Sequence, residues 1–154
     1  MTGAHTGSVR FNDYRFRDTW FLPAPGHAVF DAVVDLEHYP RWWPDVRSVR
    51  KVDADTAELV CQASLPYRLV IRLHRAEQDE SAGRLRVHLD GDLEGSLAAR
   101  LFARPGGTRL DITQEVVATK PLLRGLAPVA RPLFRLNHAL MMRRGRLGLL
   151  AFLT

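Results

Sequence analysis

Arg75, Gln114 and His138 stand in rows that are largely apolar, which makes them the first candidates for chemistry. Arg75 follows Leu69, Ile71 and Leu73 at the two-residue spacing of one strand face. A guanidinium buried there needs an anionic or carbonyl partner, because burying an unpaired charge is costly. A fixed guanidinium can also stabilise negative charge that develops on an enolate oxygen. Gln114 interrupts the row Leu110, Ile112, Val116 in the same way. Its amide can bind a ligand carbonyl, or be a core amide satisfied by backbone. His138, beside Asn137, lies on an apolar stripe of the C-terminal segment together with Phe134 and Met141. An imidazole there can move protons near neutral pH, or serve as a hydrogen-bonded core residue. Asp18 breaks the apolar row Tyr14, Phe16, Trp20, Leu22 and could face inward to pair with Arg75. Tyr14, Tyr39 and Tyr67 are further sources of a phenol, and the sequence does not choose among them.

Other constellations are weaker. His74 and His88 would face each other across neighbouring strands if the hairpin between them is symmetrical, and two histidines at that distance can hold zinc. They lie on the polar face of their strands without a certain third ligand, so no metal site is assigned. Cys61 is the only cysteine, which excludes an internal disulfide, and it reads as a small buried hydrophobe. No zinc-finger spacing, aromatic RNA-binding motif or Gly-rich phosphate loop is present, so the sequence calls for no cofactor and no nucleic acid.

The elements that position these residues follow from periodicity. A strand is predicted from Tyr14 to Leu22, then a helix opening at Pro25 with the stripe Val29, Phe30, Val33, Val34. A second short helical segment covers Asp35 to Tyr39 and ends at Pro40. Strands follow at 46–53, 57–65, 67–77, 84–90, 93–103 and 108–118, separated by Asp-, Gly- and Pro-rich breakers. Short connections imply an antiparallel meander. Beyond Pro121 the chain is helical, and Pro128 and Pro132 are expected to divide it into a short front piece and a rear helix from Pro132 to Phe152. The rear helix carries the stripe Phe134, Asn137, His138, Met141, Gly145, Gly148, Phe152. The 154 residues, 46% hydrophobic and 25% charged, suit one soluble domain over 13–154 preceded by a loose tail over 1–12. The single cysteine and the absence of a secretory apolar stretch fit a cytoplasmic setting.

The order β, two helices, six strands, long helix defines an α+β chain of the helix-grip type. It is a seven-stranded curved antiparallel sheet wrapped around a long C-terminal helix, with two short helices after the first strand. The last helix is the only element long enough to cover the apolar face. Ala24-Pro25, Val29-Phe30-Asp31, the Tyr-Pro-Arg-Trp-Trp-Pro stretch up to Pro44, Gly106-Gly107-Thr108 and Gln114-Glu115 resemble the START-like (SRPBCC) superfamily, and within it the polyketide cyclase/dehydrase group. The resemblance covers about 14–153. It implies a cavity between sheet and helix for an apolar molecule, with Gly95, Ala99, Gly145 and Gly148 as small residues that leave space. It also implies that Arg75 matches a pocket arginine that holds or polarises a ketone or enolate oxygen, and that Gln114 matches a polar pocket position. Where the cyclases carry a pocket tyrosine, serine and tryptophan, this chain has Val46, Leu73 and Ala99.

The sequence therefore predicts binding of a hydrophobic small molecule, a lipid or a polyketide-like compound. The wall would be Leu69, Ile71, Leu73, Leu85, Val87, Ala99, Ile112, Phe134, Asn137 and Met141, with Arg75 and Gln114 orienting ligand oxygens. The rival is a cyclase, aromatase or dehydratase in which Arg75 stabilises an enolate and His138 moves protons. The net charge of +5 reads first as a solvated arginine surface. Arg124, Arg131, Arg135, Arg143, Arg144 and Arg146 beside apolar residues leave a transient contact with an anionic membrane surface as a further reading. The oligomeric state is not legible.

Overall fold

The computed structural model describes residues 13–62, 68–119 and 127–154, with side chains of the last segment from residue 132 onward. Seven strands form one antiparallel sheet: β1 (Asp13–Leu22), β2 (Val46–Asp53), β3 (Thr56–Cys61), β4 (Leu69–Asp79), β5 (Arg84–Gly91), β6 (Leu93–Arg104) and β7 (Gly107–Ala118). Their order across the sheet is β1-β7-β6-β5-β4-β3-β2, a meander in which β1 returns to pair with the last strand. Two helices follow β1, namely α1 (Gly26–Val34) and the single turn α2 (Tyr39–Trp42), and the chain closes with α3 (Ala127–Leu153). This is the helix-grip arrangement expected from the element order. Among the described residues no helix is long and apolar enough to cross a membrane.

Proline placement differs from the sequence expectation at two points. Leu36–His38 is a 3₁₀ turn, and Pro40 opens α2 instead of ending a helix, because a missing N–H costs nothing in a first helical turn. Pro132 lies inside α3, which runs unbroken over 27 residues, about 40 Å. One lost backbone bond there is outweighed by the apolar face that begins at Phe134. The tail over 1–12, Tyr67, and much of the front piece after Pro121 lie outside the described residues.

Alternation builds the core. Tyr14, Trp20 and Leu22 of β1, Ala57, Leu59 and Cys61 of β3, and Leu110, Ile112 and Val116 of β7 are buried on the concave face. From α3, Phe134, His138, Met142, Gly145 and Leu149 are buried against them, whereas Phe152, expected on that stripe, is 48% exposed at the helix end. The helix is fastened at its far end by the Trp42-Trp43 pair. Gly148 packs on the Trp42 carbonyl and Gly145 on the Trp43 ring, whose Nε1–H donates to the Met141 carbonyl at 2.9 Å. The two helical glycines thus serve close contact and do not open space, and Gly95 likewise lets β6 approach the Glu115 carbonyl of β7. Asp45, 3% exposed, takes a bidentate bond from Arg144 of α3, with Nη2 to Oδ2 at 2.6 Å.

Candidate ligand-binding cavity

Although the glycines do not open it, a cavity of about 470 Å³ lies between the concave face and α3. Its wall includes Leu69, Ile71 and Leu73 of β4, Leu85 and Val87 of β5, Ala99 of β6, Ile112 and Gln114 of β7, and Phe134, Asn137, His138 and Met141 of α3. Arg75 reaches it as well. Every residue named for the wall therefore borders this space, whereas Gly95, Gly145 and Gly148 do not. Val46, Leu73 and Ala99 all contribute apolar wall. Sequence reasoning missed the aromatic side formed by Trp20, Tyr39, Trp42 and Trp43. The Trp-Trp-Pro stretch was a usable signal, since tryptophans just outside a helix must bury somewhere.

The polar groups fall into two separate places. Strand register aligns Phe16, Gln114, Leu97, Val87 and Arg75 in one row across β1, β7, β6, β5 and β4. Gln114 and Arg75 are three strand spacings apart, roughly 14 Å. At the first place, His138 stacks on Phe16 with ring centroids 3.6 Å apart and donates from Nε2 to Gln114 Oε1 at 2.5 Å. Two residues singled out separately in the sequence thus form one hydrogen-bonded pair in the cavity wall. His138 is buried, and burial pulls its pKa down to about 4, so the imidazole is neutral at physiological pH.

That depression links the pair to stability. The unfolded imidazole titrates near its ordinary value of 6.5, well above the folded one. Between these values the unfolded chain binds more protons, so stability is full above pH 6.5 and falls as the pH drops toward 4. The loss attributable to His138 is at most roughly 3 kcal/mol. Urea unfolding across this range should show the decline in the wild type and a flatter profile in His138→Gln. Equal slopes in the two proteins would assign the acid sensitivity elsewhere.

The second place is the rim. Lys51, Asp53, Asp55 and Glu77 border the cavity and are exposed, which marks where it meets solvent. Arg75 lies here and is not a buried inward residue: its side chain is 49% exposed, pairs with Asp55 at 3.6 Å and donates to the Ala54 carbonyl at 3.3 Å. Arg75 keeps its register with Val87 but is the last position before a bulge between Arg75 and Glu77, at the strand end where the exposed rim residues gather. Asp18 does not partner it. Asp18 is on the concave face of β1, half-buried, and burial pushes its carboxyl pKa up, but β7, β6 and β5 separate it from β4.

The remaining candidates are tied into structure. The Tyr39 hydroxyl donates to the Val33 carbonyl at 2.5 Å and burial raises its pKa, while Tyr14 is buried against Phe134. Burial pushes the Cys61 thiol up to about 12, so it borders the cavity as a protonated hydrophobe. His74 and His88 do pair in register on the outer face. His74 bonds Asp90 through Nε2 at 2.5 Å and Thr56 through Nδ1 at 3.1 Å, and among the described residues no group of three donors is placed to hold a metal.

A long helix gripped by a curved sheet, with a cavity between them, defines a helix-grip protein. The chain belongs to the polyketide cyclase / dehydrase and lipid transport family, whose model matches residues 22–139. Among solved structures it is similar to the Zhui aromatase/cyclase of a Streptomyces species, with a TM-score of 0.76, 15% identity, and coverage of 90% of this chain and 92% of that one. It is also similar to TTHA0849 of Thermus thermophilus, with a TM-score of 0.70, 21% identity, and coverage of 92% and 100%. A START superfamily protein of Mycobacterium smegmatis aligns with a TM-score of 0.61 and 18% identity, over 86% and 98% of the two chains. Such identities establish the fold alone. No curated protein matches the sequence.

Proposed function

We propose that this protein binds a hydrophobic small molecule, a lipid or a polyketide-like compound, in the cavity between sheet and α3, in a cytosolic setting. The observation that carries this reading is a wall that is mostly apolar, with polar side chains at Gln114, His138 and Asn137 and with exposed charged residues at the rim. Pockets for apolar ligands have this composition, in which a few polar groups fix orientation. Gln114 and His138 would meet an oxygen carried in the middle of the ligand. Arg75 would meet an oxygen or an acid at its outer end.

A cyclase, aromatase or dehydratase reaction in the same cavity is the second reading. It is favoured by the imidazole of His138, which borders the cavity with one nitrogen engaged by Gln114. Against it, burial holds the His138 pKa at about 4, which makes it a weak base, and Arg75 stands on β4, three strands from the Gln114 that His138 bonds.

Arg75→Ala separates the readings. With palmitate and neutral N-phenylnaphthylamine as probes, the binder predicts a loss of roughly fivefold for palmitate, about 1 kcal/mol, and none for the neutral probe. An enzyme predicts turnover abolished beyond any change in binding. If neither affinity nor turnover moves, Arg75 has no part in the site.

A further inference from the structure

The outer face of α3, turned away from the sheet, is neither a solvated polar face nor a buried one. Leu136, Leu140, Arg143 and Leu147 follow one another along it at spacings of four, three and four residues. Leu136 is 57% exposed, Leu147 51% and Leu133 48%, three of the most exposed large hydrophobics among the described residues. Arg135 and Arg146 flank this crest on one side, and both are exposed, as is Arg143. Among the described residues none of these three arginines makes an ion pair, whereas Arg144 is turned inward to Asp45.

The distribution of charge along the chain is equally uneven. All 17 carboxylates lie at or before Glu115, and 7 of the 22 Lys and Arg residues lie after it. The first 115 residues are therefore slightly acidic, with 15 basic against 17 acidic side chains, and the excess that makes the protein +5 belongs to the C-terminal segment. The outer sheet face has arginines too, but several are matched: Arg15 with Glu115, Arg50 and Arg72 with Glu58, and Arg109 with Asp111. On α3 no carboxylate is available to match them.

We propose that the outer face of α3 docks on an anionic phospholipid surface, with the leucine crest entering the headgroup boundary and Arg135, Arg143 and Arg146 bonding lipid phosphates. Leucines beside guanidiniums on one helix face, lacking acidic residues, are the composition of helices that lie in a membrane interface. A second copy of the chain is a poor occupant, since a two-fold contact would set arginine against arginine. The N-terminal segment over 1–12 is no better, as it carries Arg10 and no carboxylate.

The test is sedimentation of the full chain with vesicles of equal parts phosphatidylglycerol and phosphatidylcholine, and with phosphatidylcholine alone. The wild type should partition onto the anionic vesicles only. Arg135→Glu/Arg143→Glu/Arg146→Glu should lower the partition by at least about tenfold. Leu136→Gln/Leu147→Gln, which keeps the charge, should lower it by about threefold or more. Arg17→Glu/Arg84→Glu/Arg100→Glu, an equal charge change on the sheet, should stay within about twofold of wild type. Absence of anionic partition in the wild type overturns the proposal. So does an equal loss in the sheet variant, or an unchanged partition in the glutamine pair, which would point to an acidic macromolecule. N-phenylnaphthylamine binding by the same variants reports the cavity separately, so a failed docking face leaves the cavity reading standing.

Discussion

Gly148→Ala is expected to destabilise the protein by about 3 kcal/mol or more, one of the largest losses open to a single methyl group here. A Cβ at this position would lie 1.6 Å from the Trp42 carbonyl oxygen and 2.8 Å from its carbon, and both obstacles are backbone. Alanine improves intrinsic helix propensity by about 1 kcal/mol, but that gain is too small to offset moving α3 away from α2 by more than an ångström. Displacement would also strain the Trp43–Met141 bond and the Arg144–Asp45 pair, since all three contacts fasten the same end of the helix. Gly106→Ala is the matched control. It has positive φ of 81° but nothing within 4 Å of a built Cβ, so its cost should be only about 1 kcal/mol. Chemical denaturation of both variants checks the contrast. Comparable losses would mean that α3 does not seat on Trp42 as described.

Ala99→Phe is expected to lower affinity for an apolar probe at least about tenfold while leaving stability unchanged or higher. Ala99 is 3% exposed in the middle of β6, paired with Leu85 and Ile112, and all three border the cavity. In a filled core a benzyl group at such a site overpacks and costs about 1–3 kcal/mol. In an open cavity it gains contacts in place of losing them. The two measurements therefore test the space twice, once by what it stops holding and once by what it tolerates. Reduced stability with undiminished probe binding would contradict the assignment.

Five of the strands were legible to within a residue because breakers and alternation agree along the meander, whereas β3 ends at Cys61 and not at 65, and β4 runs over Leu69–Asp79 and not 67–77. The strand residues of the wall followed from the same alternation, and those named all border the cavity. Three features were not legible. The Arg75–Glu77 bulge shifts the pattern by one residue at a strand end, which a two-residue period cannot foresee. The pairing of His138 with Gln114 depends on how α3 is seated over β7, a distance of 24 residues in sequence that periodicity does not encode. Gly145 and Gly148 read equally well as empty space or as close contact, and only the positions of Trp42 and Trp43 distinguish the two.

The central claim is that the space between sheet and α3 holds an apolar molecule. Titration of the protein with N-phenylnaphthylamine, followed through tryptophan fluorescence, tests it most directly, because Trp20, Trp42 and Trp43, the protein's three tryptophans, all border the cavity. A saturable response that is complete at one probe per chain is the predicted result. A weak, non-saturating response, or none, would contradict the account.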